Sequence, residues 1–331
     1  MNGKNEIMAI LGKARAFWEA RILMTAAELD IFSCILDAPK TAEEVSKALS
    51  SDLRGTEALL NSLAALGLLV KKDDRFRVKP GFEKSLSSSA PETVLPMVRH
   101  MGQLWETWGK LTDIVLKGKQ RGLIEALERD EEGIGAFIGA MHTIGRGMAA
   151  NVVKKLDLAE REKLIDVGGG SGVYTIAALR AAPRMRATIF DLPPVIEIAR
   201  KKIGEEDLLD RVTFVKGDYN KDSLPAGHDI AILSAVIHSN SPQQNVELYR
   251  KVLDALVPGG TIVVRDYVMS EDHTQPPDGA MFAINMLVNT PGGGTYSFEE
   301  IKTDLETAGF SEVALLHHGE MDSLVTASKR K

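Results

Sequence analysis

The sequence has few of the residues that build disulfides, membrane spans or nucleic-acid contacts. Cys34 is the one cysteine among 331 residues, which excludes an intrachain disulfide and a cysteine-rich metal site, and we expect no metal. No apolar run reaches the ~20 residues that cross a bilayer. The net charge of −6 gives no reason to expect a nucleic-acid or membrane partner. The start of the chain shows no signal-peptide pattern, which predicts a cytoplasmic protein.

The first hundred residues show the pattern of a winged helix. Apolar residues recur at helical spacing over residues 5–36. Thr41 and Glu44 fit a capping box for the next helix. After one more helix, residues 68–78 predict a two-stranded wing around a charged turn.

The helix that begins at Asp52 is the second of the helix-turn-helix pair, and its charges bear on whether the domain binds DNA or a second copy of the chain. A DNA-reading helix carries several lysines and arginines, but here Arg54 stands between Asp52 and Glu57. The long first helix, with Phe17 and Trp18, has more apolar surface than one small domain needs to cover itself. The pattern therefore favours a dimerisation domain, and a DNA-binding regulator stays an alternative.

A Ser/Pro-rich break at residues 85–96 ends this first domain. Helices are predicted over residues 93–116 and 134–156, and the second is rich in glycine and alanine, which permit close packing or leave room for a ligand. We expect a winged-helix dimerisation domain at 1–90, a helical connector at 91–155 and a ligand-binding domain at 156–331.

From residue 163 onward, predicted strands alternate with predicted helices. Repeated βαβ units indicate an α/β fold with a doubly wound parallel sheet, whose ligand lies at the carboxyl ends of the strands. Polar residues follow the strands at that edge: they are Asp191, Asp218, Tyr219, Ser234, His238 and Asp266. Each could be a strand-end cap, but their shared position favours a binding site.

A glycine-rich turn follows the first of these strands. Gly168, Gly170 and Gly172 let the backbone approach a ligand, and the next helix directs its N-terminal amides there. A dinucleotide fingerprint needs the third glycine one residue later. Asp166, an acid within the strand, is also unusual for a dehydrogenase. Asp191 follows about twenty residues past the glycine turn, and Gly217-Asp218 comes after the next strand. In this order the residues resemble a class I S-adenosylmethionine methyltransferase rather than an NAD-binding dehydrogenase.

The whole chain resembles the small-molecule O-methyltransferases that have an N-terminal winged-helix dimerisation domain, such as the caffeic acid and acetylserotonin enzymes. The resemblance rests on LIDVGGGSG, FDLPPVIEIA, RVTFVKGDY, VPGGTIVVRD, NTPGGG and AGF. It implies a Rossmann-like, doubly wound, seven-stranded methyltransferase sheet. It also implies a homodimer that transfers methyl from S-adenosylmethionine to a hydroxyl of a small, aromatic molecule, giving S-adenosylhomocysteine.

The resemblance assigns cofactor contacts to the glycine turn and to the strand ends. The cofactor-binding residues that it implies are Asp166, Gly168, Gly170, Gly172, Asp191, Leu192, Asp218, Tyr219 and Ser234. The glycine turn would hold the methionine end and Asp191 the ribose, while Asp218 and Tyr219 would flank the adenine. Ser234 stands where family members often have a lysine.

The resemblance also implies a general base and an acceptor pocket. Most members carry His-Asp-Trp after the fourth strand, and here His238 is kept while Asp-Trp becomes Ser-Asn. The first supporting acid matches Asp266, and the second falls on Thr295, which is no acid. The positions that match the acceptor pocket are Phe137, Met141, Ile144, Met286 and Asn289.

These departures leave other chemistry open. A homologue that keeps S-adenosylmethionine but carries out C-methylation, decarboxylation or hydroxylation is one alternative. For His238 itself, the alternative to a general base is a cap on the loop after the fourth strand.

Overall fold

The computed structural model describes residues 3–90, 92–118 and 131–331. Contacts between Cα atoms divide the chain into two compact units, residues 1–105 and 106–331. In the described part of the chain, no helix is both long and apolar enough to cross a membrane.

The N-terminal unit has the predicted winged-helix order. Its elements are α1 (Gly3–Glu28), α2 (Ile31–Leu36), β1 (Lys40–Thr41), α3 (Ala42–Leu49), α4 (Leu53–Ala65), β2 (Leu69–Lys72), β3 (Arg75–Val78) and α5 (Leu95–Gln103). The three strands form an antiparallel sheet of order β1-β3-β2. The predicted capping box is present, since Thr41 accepts a hydrogen bond from the Glu44 amide and the Glu44 carboxylate accepts one from the Thr41 amide.

The single helix predicted over residues 93–116 is wrong. The structure has three shorter helices there, α5, α6 (Trp105–Gly109) and α7 (Leu111–Lys117). Gly102 and Gly109 lie at or near the two breaks, and glycine weakens a helix relative to other residues. The apolar periodicity continues across the breaks and hides them.

The second unit is the predicted doubly wound sheet. Its strands are β4 (Lys163–Val167), β5 (Arg186–Asp191), β6 (Val212–Lys216), β7 (His228–Ser234), β8 (Leu256–Asp266), β11 (Ser311–His317) and β12 (Ser323–Ser328). They form one seven-stranded sheet of order β11-β12-β8-β7-β4-β5-β6. All neighbours are parallel except that β12 is antiparallel to β8 and β11. The strand order reverses at β4, which is where such sheets bind ligands.

Helices cover both faces of this sheet. They are α8 (Glu131–Val153), α9 (Val173–Ala181), α10 (Pro193–Glu205), α11 (Pro242–Ala255), α12 (Pro277–Asn289) and α13 (Phe298–Ala308). The short parallel strands β9 (Val268–Met269) and β10 (Tyr296–Ser297) frame α12. Two apolar cores lie on the two faces: alternate residues of β4 show this, because Leu164 packs in one core and Ile165 in the other.

Candidate active site

The glycine turn between β4 and α9 has the backbone conformation that its sequence predicts. Gly168, Gly170 and Gly172 have φ angles of +67°, +58° and +77°, which L side chains rarely adopt. A Cβ on Gly168 would come within 2.9 Å of Val236 Cγ2, so the turn packs closely there. At Gly170 the nearest atom is 3.9 Å away, which leaves room above the turn for a ligand.

Asp191 connects the end of β5 to this turn. One carboxylate oxygen accepts a hydrogen bond of 2.8 Å from the Gly170 amide, and the other accepts one of 2.7 Å from the Leu192 amide. Burial raises the pKa of the Asp191 carboxyl above its ordinary value, although both amide hydrogen bonds lower it. An acid fixed in this way lies where a ligand held by the turn would meet it.

Asp166 lies in β4 directly beneath the turn. One carboxylate oxygen accepts a 2.7 Å hydrogen bond from the Thr175 hydroxyl, which fixes the start of α9 to the strand. The other oxygen is buried and has no hydrogen-bond partner among the described residues. Burial raises the pKa of the Asp166 carboxyl to about 6.

The third predicted pair lies after β6 and also meets the glycine turn. A Cβ on Gly168 would be 3.7 Å from the Tyr219 ring, which places this ring beside the turn. Asp218 faces outward to Lys221 at 3.0 Å and accepts a 2.9 Å hydrogen bond from the Asn220 amide. The structure thus brings Tyr219 to the turn and shows Asp218 organising the loop that carries it.

His238 and Asp266 come together across the ends of β7 and β8. The Nδ1 atom of His238 lies 2.9 Å from both carboxylate oxygens of Asp266, and both side chains are almost fully buried. One of these oxygens also accepts a 2.9 Å hydrogen bond from the Tyr267 amide. The Phe282 ring meets the imidazole edge to face, with centroids 4.9 Å apart. The imidazole is therefore held in one orientation from two sides.

The loop that carries His238 is fastened by backbone contacts. The Gly294 amide donates a 2.9 Å hydrogen bond to the His238 carbonyl oxygen. A Cβ on Gly293 would collide with the same oxygen, so only glycine permits this approach. Asn240 donates to Asn245 at 3.1 Å, and Asn245 in turn donates to the Ile237 carbonyl at 3.1 Å. Asn240 stands at the sequence position for which the resemblance implies a tryptophan.

Thr295 takes no part in the His238 pair. Its hydroxyl donates to the carbonyl oxygen of Gly279 at 3.3 Å, and the residue is buried. At the position for which the resemblance implies a second acid, the chain therefore has a hydroxyl bonded to the backbone of α12.

The predicted acceptor residues lie on two helices. Phe137, Met141 and Ile144 follow one another at helical spacing on α8, while Met286 and Asn289 lie on α12. The Asn289 carbonyl accepts a 2.7 Å hydrogen bond from Thr107. Its amide group donates to the Asn285 side chain at 2.9 Å. The Asn289 amide is thus engaged within the protein, and Trp108 adds a 3.0 Å bond to Asn285.

Two residues near the site escaped the sequence reasoning. Tyr267 follows Asp266, and its ring contacts that of Phe282 at a tilt of 43°, with centroids 5.2 Å apart. Arg265 is buried one residue before Asp266. The signal for Arg265 was a charge inside an otherwise apolar strand, TIVVRD, where burial of the strand demands a reason for it.

The comparisons with known proteins agree with this architecture. The O-methyltransferase domain family matches residues 108–311, and the O-methyltransferase dimerisation domain family matches residues 12–89. The chain belongs to the O-methyltransferase family. It is an enzyme that transfers a methyl group from S-adenosylmethionine to a hydroxyl of a small molecule, as the sequence predicted.

Individual relatives extend over nearly the whole chain. The tetracenomycin polyketide synthesis 8-O-methyl transferase TcmO of Streptomyces glaucescens is 29% identical over 97% of this chain and 96% of its own. The 3-hydroxy-5-methyl-1-naphthoate 3-O-methyltransferase of Streptomyces sahachiroi is 30% identical over 91% and 88%. The crystal structure of human N-acetylserotonin methyltransferase in complex with SAM matches with a TM-score of 0.87 at 24% identity, over 98% of both chains, which shows the shared fold.

Proposed function

We propose that His238 is the general base of this O-methyltransferase and that Asp266 orients it. The contact of His238 Nδ1 with both Asp266 oxygens at 2.9 Å carries the proposal. A carboxylate on Nδ1 fixes the tautomer in which Nδ1 is the donor and Nε2 keeps its lone pair. Nε2 is then the atom that accepts the acceptor's proton.

The reaction requires of the protein chiefly a base and the alignment of the acceptor oxygen with the methyl group. When bound, S-adenosylmethionine supplies a methyl group already activated on a sulfonium. A phenol ionises near pH ~10, so at neutral pH a base within hydrogen-bond reach must take its proton. The Asp266 carboxylate stabilises the imidazolium that results. Phe282 and Tyr267 keep the imidazole from rotating away from the acceptor.

The residues around the glycine turn fit the cofactor. The open space above Gly170 lets the cofactor approach the backbone of the turn. The Asp191 carboxylate can accept hydrogen bonds from two ribose hydroxyls. The Tyr219 ring offers an apolar face beside the turn for the adenine. Asp166, with one unpartnered buried oxygen, can accept a hydrogen bond from the amino group at the methionine end.

The acceptor is an aromatic hydroxyl compound in this proposal. Phe137, Met141 and Ile144 present apolar and polarisable side chains from α8, and Met286 does so from α12. The naphthoate enzyme of Streptomyces sahachiroi acts, by its name, on a hydroxylated aromatic ring, and its likeness to this chain supports the same class. Among the described residues, no group of three acidic, histidine or cysteine side chains could hold a metal.

The N-terminal unit forms the homodimer in this proposal. Its match to the dimerisation domain family supports this. On α1, several large apolar residues are about half exposed or more: they are Ile7, Met8, Ile10, Leu11, Phe17 and Trp18. A second copy of the chain would cover this stripe.

Product analysis tests the proposal against its alternatives. The enzyme is incubated with S-adenosylmethionine and a panel of mono- and polyhydroxylated aromatics, and products are identified by mass spectrometry and NMR. O-methylation adds one methyl and removes the exchangeable hydroxyl proton. C-methylation leaves that proton in place, and decarboxylation or hydroxylation changes the mass differently. A gel shift on duplex DNA at low salt, where phosphate contacts are strongest, tests the regulator alternative.

A further inference from the structure

Three buried polar groups meet at the carboxyl ends of β7 and β8. Arg265 Nε, the Tyr174 hydroxyl and the Ser234 hydroxyl have no hydrogen-bond partner among the described residues. Arg265 is 3% exposed, and in the described part of the chain it is the only buried lysine or arginine. Buried polar groups are nearly always paired in proteins, so three unpaired ones in one place require an explanation.

The three groups are neighbours. Ser234 and Arg265 are register partners on adjacent parallel strands, so their side chains lie on the same face of the sheet. The guanidinium lies over the Tyr174 ring at 5.5 Å and reaches Met148 Sδ at 3.8 Å. Burial raises the pKa of the Tyr174 phenol, and the positive charge of Arg265 lowers it. The Ser234 hydroxyl lowers it further and lies near the phenol without the geometry of a hydrogen bond.

In the described part of the chain, no carboxylate forms an ion pair with Arg265, although Asp166 and Asp322 lie near enough to Tyr174 to raise the pKa of its phenol further. The Arg265 guanidinium contacts the Tyr174 ring and the Met148 sulfur, and neither is a carboxylate. Asp266, the next residue, is engaged by His238 and by the Tyr267 amide. A buried charge is strongly unfavourable unless it is paired. The guanidinium fork matches a carboxylate, and two hydroxyls beside it supply further donors.

The cluster lies beside the glycine turn. Tyr174 is in the first turn of α9, two residues after Gly172. Strand β7 is hydrogen-bonded to β4, with Ile232 opposite Asp166 and Ser234 two residues further along. In the sheet, β8 and β5 lie on opposite sides of β4. The strand ends around the turn therefore carry the Asp191 carboxylate on one side and the Arg265 cation on the other.

We propose that Arg265, with the hydroxyls of Tyr174 and Ser234, binds the α-carboxylate of the methionine part of S-adenosylmethionine. This inference rests on the proposed use of the glycine turn for the cofactor. The carboxylate is the only anionic group of that molecule, and its ribose hydroxyls suit the acid on the other side of β4. The order of charges along the strand ends thus matches the order of groups along the cofactor.

Binding of two ligands by calorimetry tests the assignment. One is S-adenosylmethionine and the other is its decarboxylated form, which keeps the sulfonium and the amine. We expect wild-type protein to prefer S-adenosylmethionine, and Arg265→Met to bind it about 10- to 100-fold more weakly with little change for the decarboxylated ligand. We also expect the ligand-free Arg265→Met protein to melt no lower than wild type, because the variant removes an unpaired buried charge.

Arg211→Met is the matched control. Arg211 donates to the backbone carbonyls of Ala182 and Met185 at 2.7 and 2.8 Å, so its loss should lower the melting temperature and leave the ligand preference unchanged. If Arg265→Met does not fold, Tyr174→Phe serves instead, with binding of S-adenosylmethionine alone weakened about 3- to 10-fold.

Two results would overturn the assignment: an unchanged ligand preference in Arg265→Met, or equal weakening of both ligands. Wild-type protein that binds neither ligand would instead refute the proposed use of the cofactor site.

Discussion

Both carboxylate oxygens of Asp266 lie 2.9 Å from Nδ1 of His238, at the ends of neighbouring strands. The two residues are 28 positions apart in the sequence, and the pairing of β7 with β8 brings them together. This contact engages Nδ1, so in the proposed mechanism Nε2 is the imidazole nitrogen that takes the proton. The predictions for catalysis follow from this contact.

His238→Ala should lower kcat about 10²- to 10⁴-fold at neutral pH, because the acceptor then has no base. The loss should shrink as the pH approaches ~10, where a phenol ionises without help. Initial rates from pH 6 to 10 check this. His273→Gln is the control, since His273 is exposed and pairs with Glu300 at 3.3 Å. A His238→Ala rate equal to wild type at every pH would contradict the assignment.

Asp266→Asn should be nearly as damaging as loss of the histidine. The asparagine carbonyl can still accept from the Tyr267 amide, and its NH2 group would then face His238. Nδ1 would become the acceptor and Nε2 the protonated nitrogen, which cannot act as a base. We expect a loss of about 10²-fold or more in kcat with binding of S-adenosylmethionine retained. Stopped-time assays measure kcat, and calorimetry measures the binding of S-adenosylmethionine. Weakened cofactor binding in Asp266→Asn would argue against this explanation.

Asp166 should make the stability of the ligand-free enzyme depend on pH. Its folded pKa of about 6 lies above the ordinary carboxyl value of 3.8, so the folded state binds the proton more tightly. Stability should therefore fall as the pH rises from about 4 to 6, and Asp166→Asn should remove this contribution. At pH 7 the variant should be more stable by up to about 3 kcal/mol. Urea unfolding of both proteins at pH 5, 6 and 7 measures this dependence. If the free energy of unfolding changes with pH equally in wild type and in Asp166→Asn, the prediction is wrong.

Gly168→Ala should weaken cofactor binding, because a Cβ there would come within 2.9 Å of Val236 beside the Tyr219 ring. Gly227→Ala is the matched control, since Gly227 also has a positive φ, +96°, but no atom within 4 Å of its Cβ. Both variants should lose about 1–2 kcal/mol of stability from backbone strain. Only Gly168→Ala should raise the Kd for S-adenosylmethionine, by about tenfold or more. Equal Kd values in calorimetry would mean that the turn does not hold the cofactor.

The apolar stripe on α1 predicts that the enzyme is dimeric in solution. Ile10 and Trp18 are 67% and 54% exposed in the single chain. The double variant Ile10→Glu with Trp18→Glu should halve the mass measured by light scattering, because two charges would be buried in the interface. Leu209→Glu, at an equally exposed apolar residue of the other unit, should leave the mass unchanged. A wild-type enzyme that is already monomeric would refute the prediction.

The parts of the fold that depend on local sequence could be predicted, and the parts that depend on distant partners could not. The glycine turn and the capping box at Thr41 are set by residues within a few positions of each other, and both have the predicted form. The position of His238 and Asp266 at one edge of the sheet followed from the rule that parallel strands end at one edge, while their pairing was implied by the resemblance. The breaks within residues 93–116 did not, because periodicity continues through them.

The hydrogen bonds of α12 show the same limit. Thr107 bonds Asn289 and Trp108 bonds Asn285 across more than 170 positions. No local pattern predicts either hydrogen bond, because an asparagine on a helix can equally well be exposed to solvent. Asn289 was expected among the acceptor residues from the resemblance alone. Its hydrogen bonds to Thr107 and Asn285 could be seen only once the chain was folded.

The loop that carries His238 is held through the backbone of Gly293 and Gly294, since the Gly294 amide donates to the His238 carbonyl oxygen. We therefore expect substitutions on α8 to change the shape of the proposed acceptor pocket without moving the imidazole, whereas α12 contacts the imidazole through Phe282. With the proposed base, such variants would accept a different aromatic compound while His238 stays beside Asp266. In this proposal, the choice of substrate depends on side chains of α8, while catalysis depends on the His238 loop and Asp266.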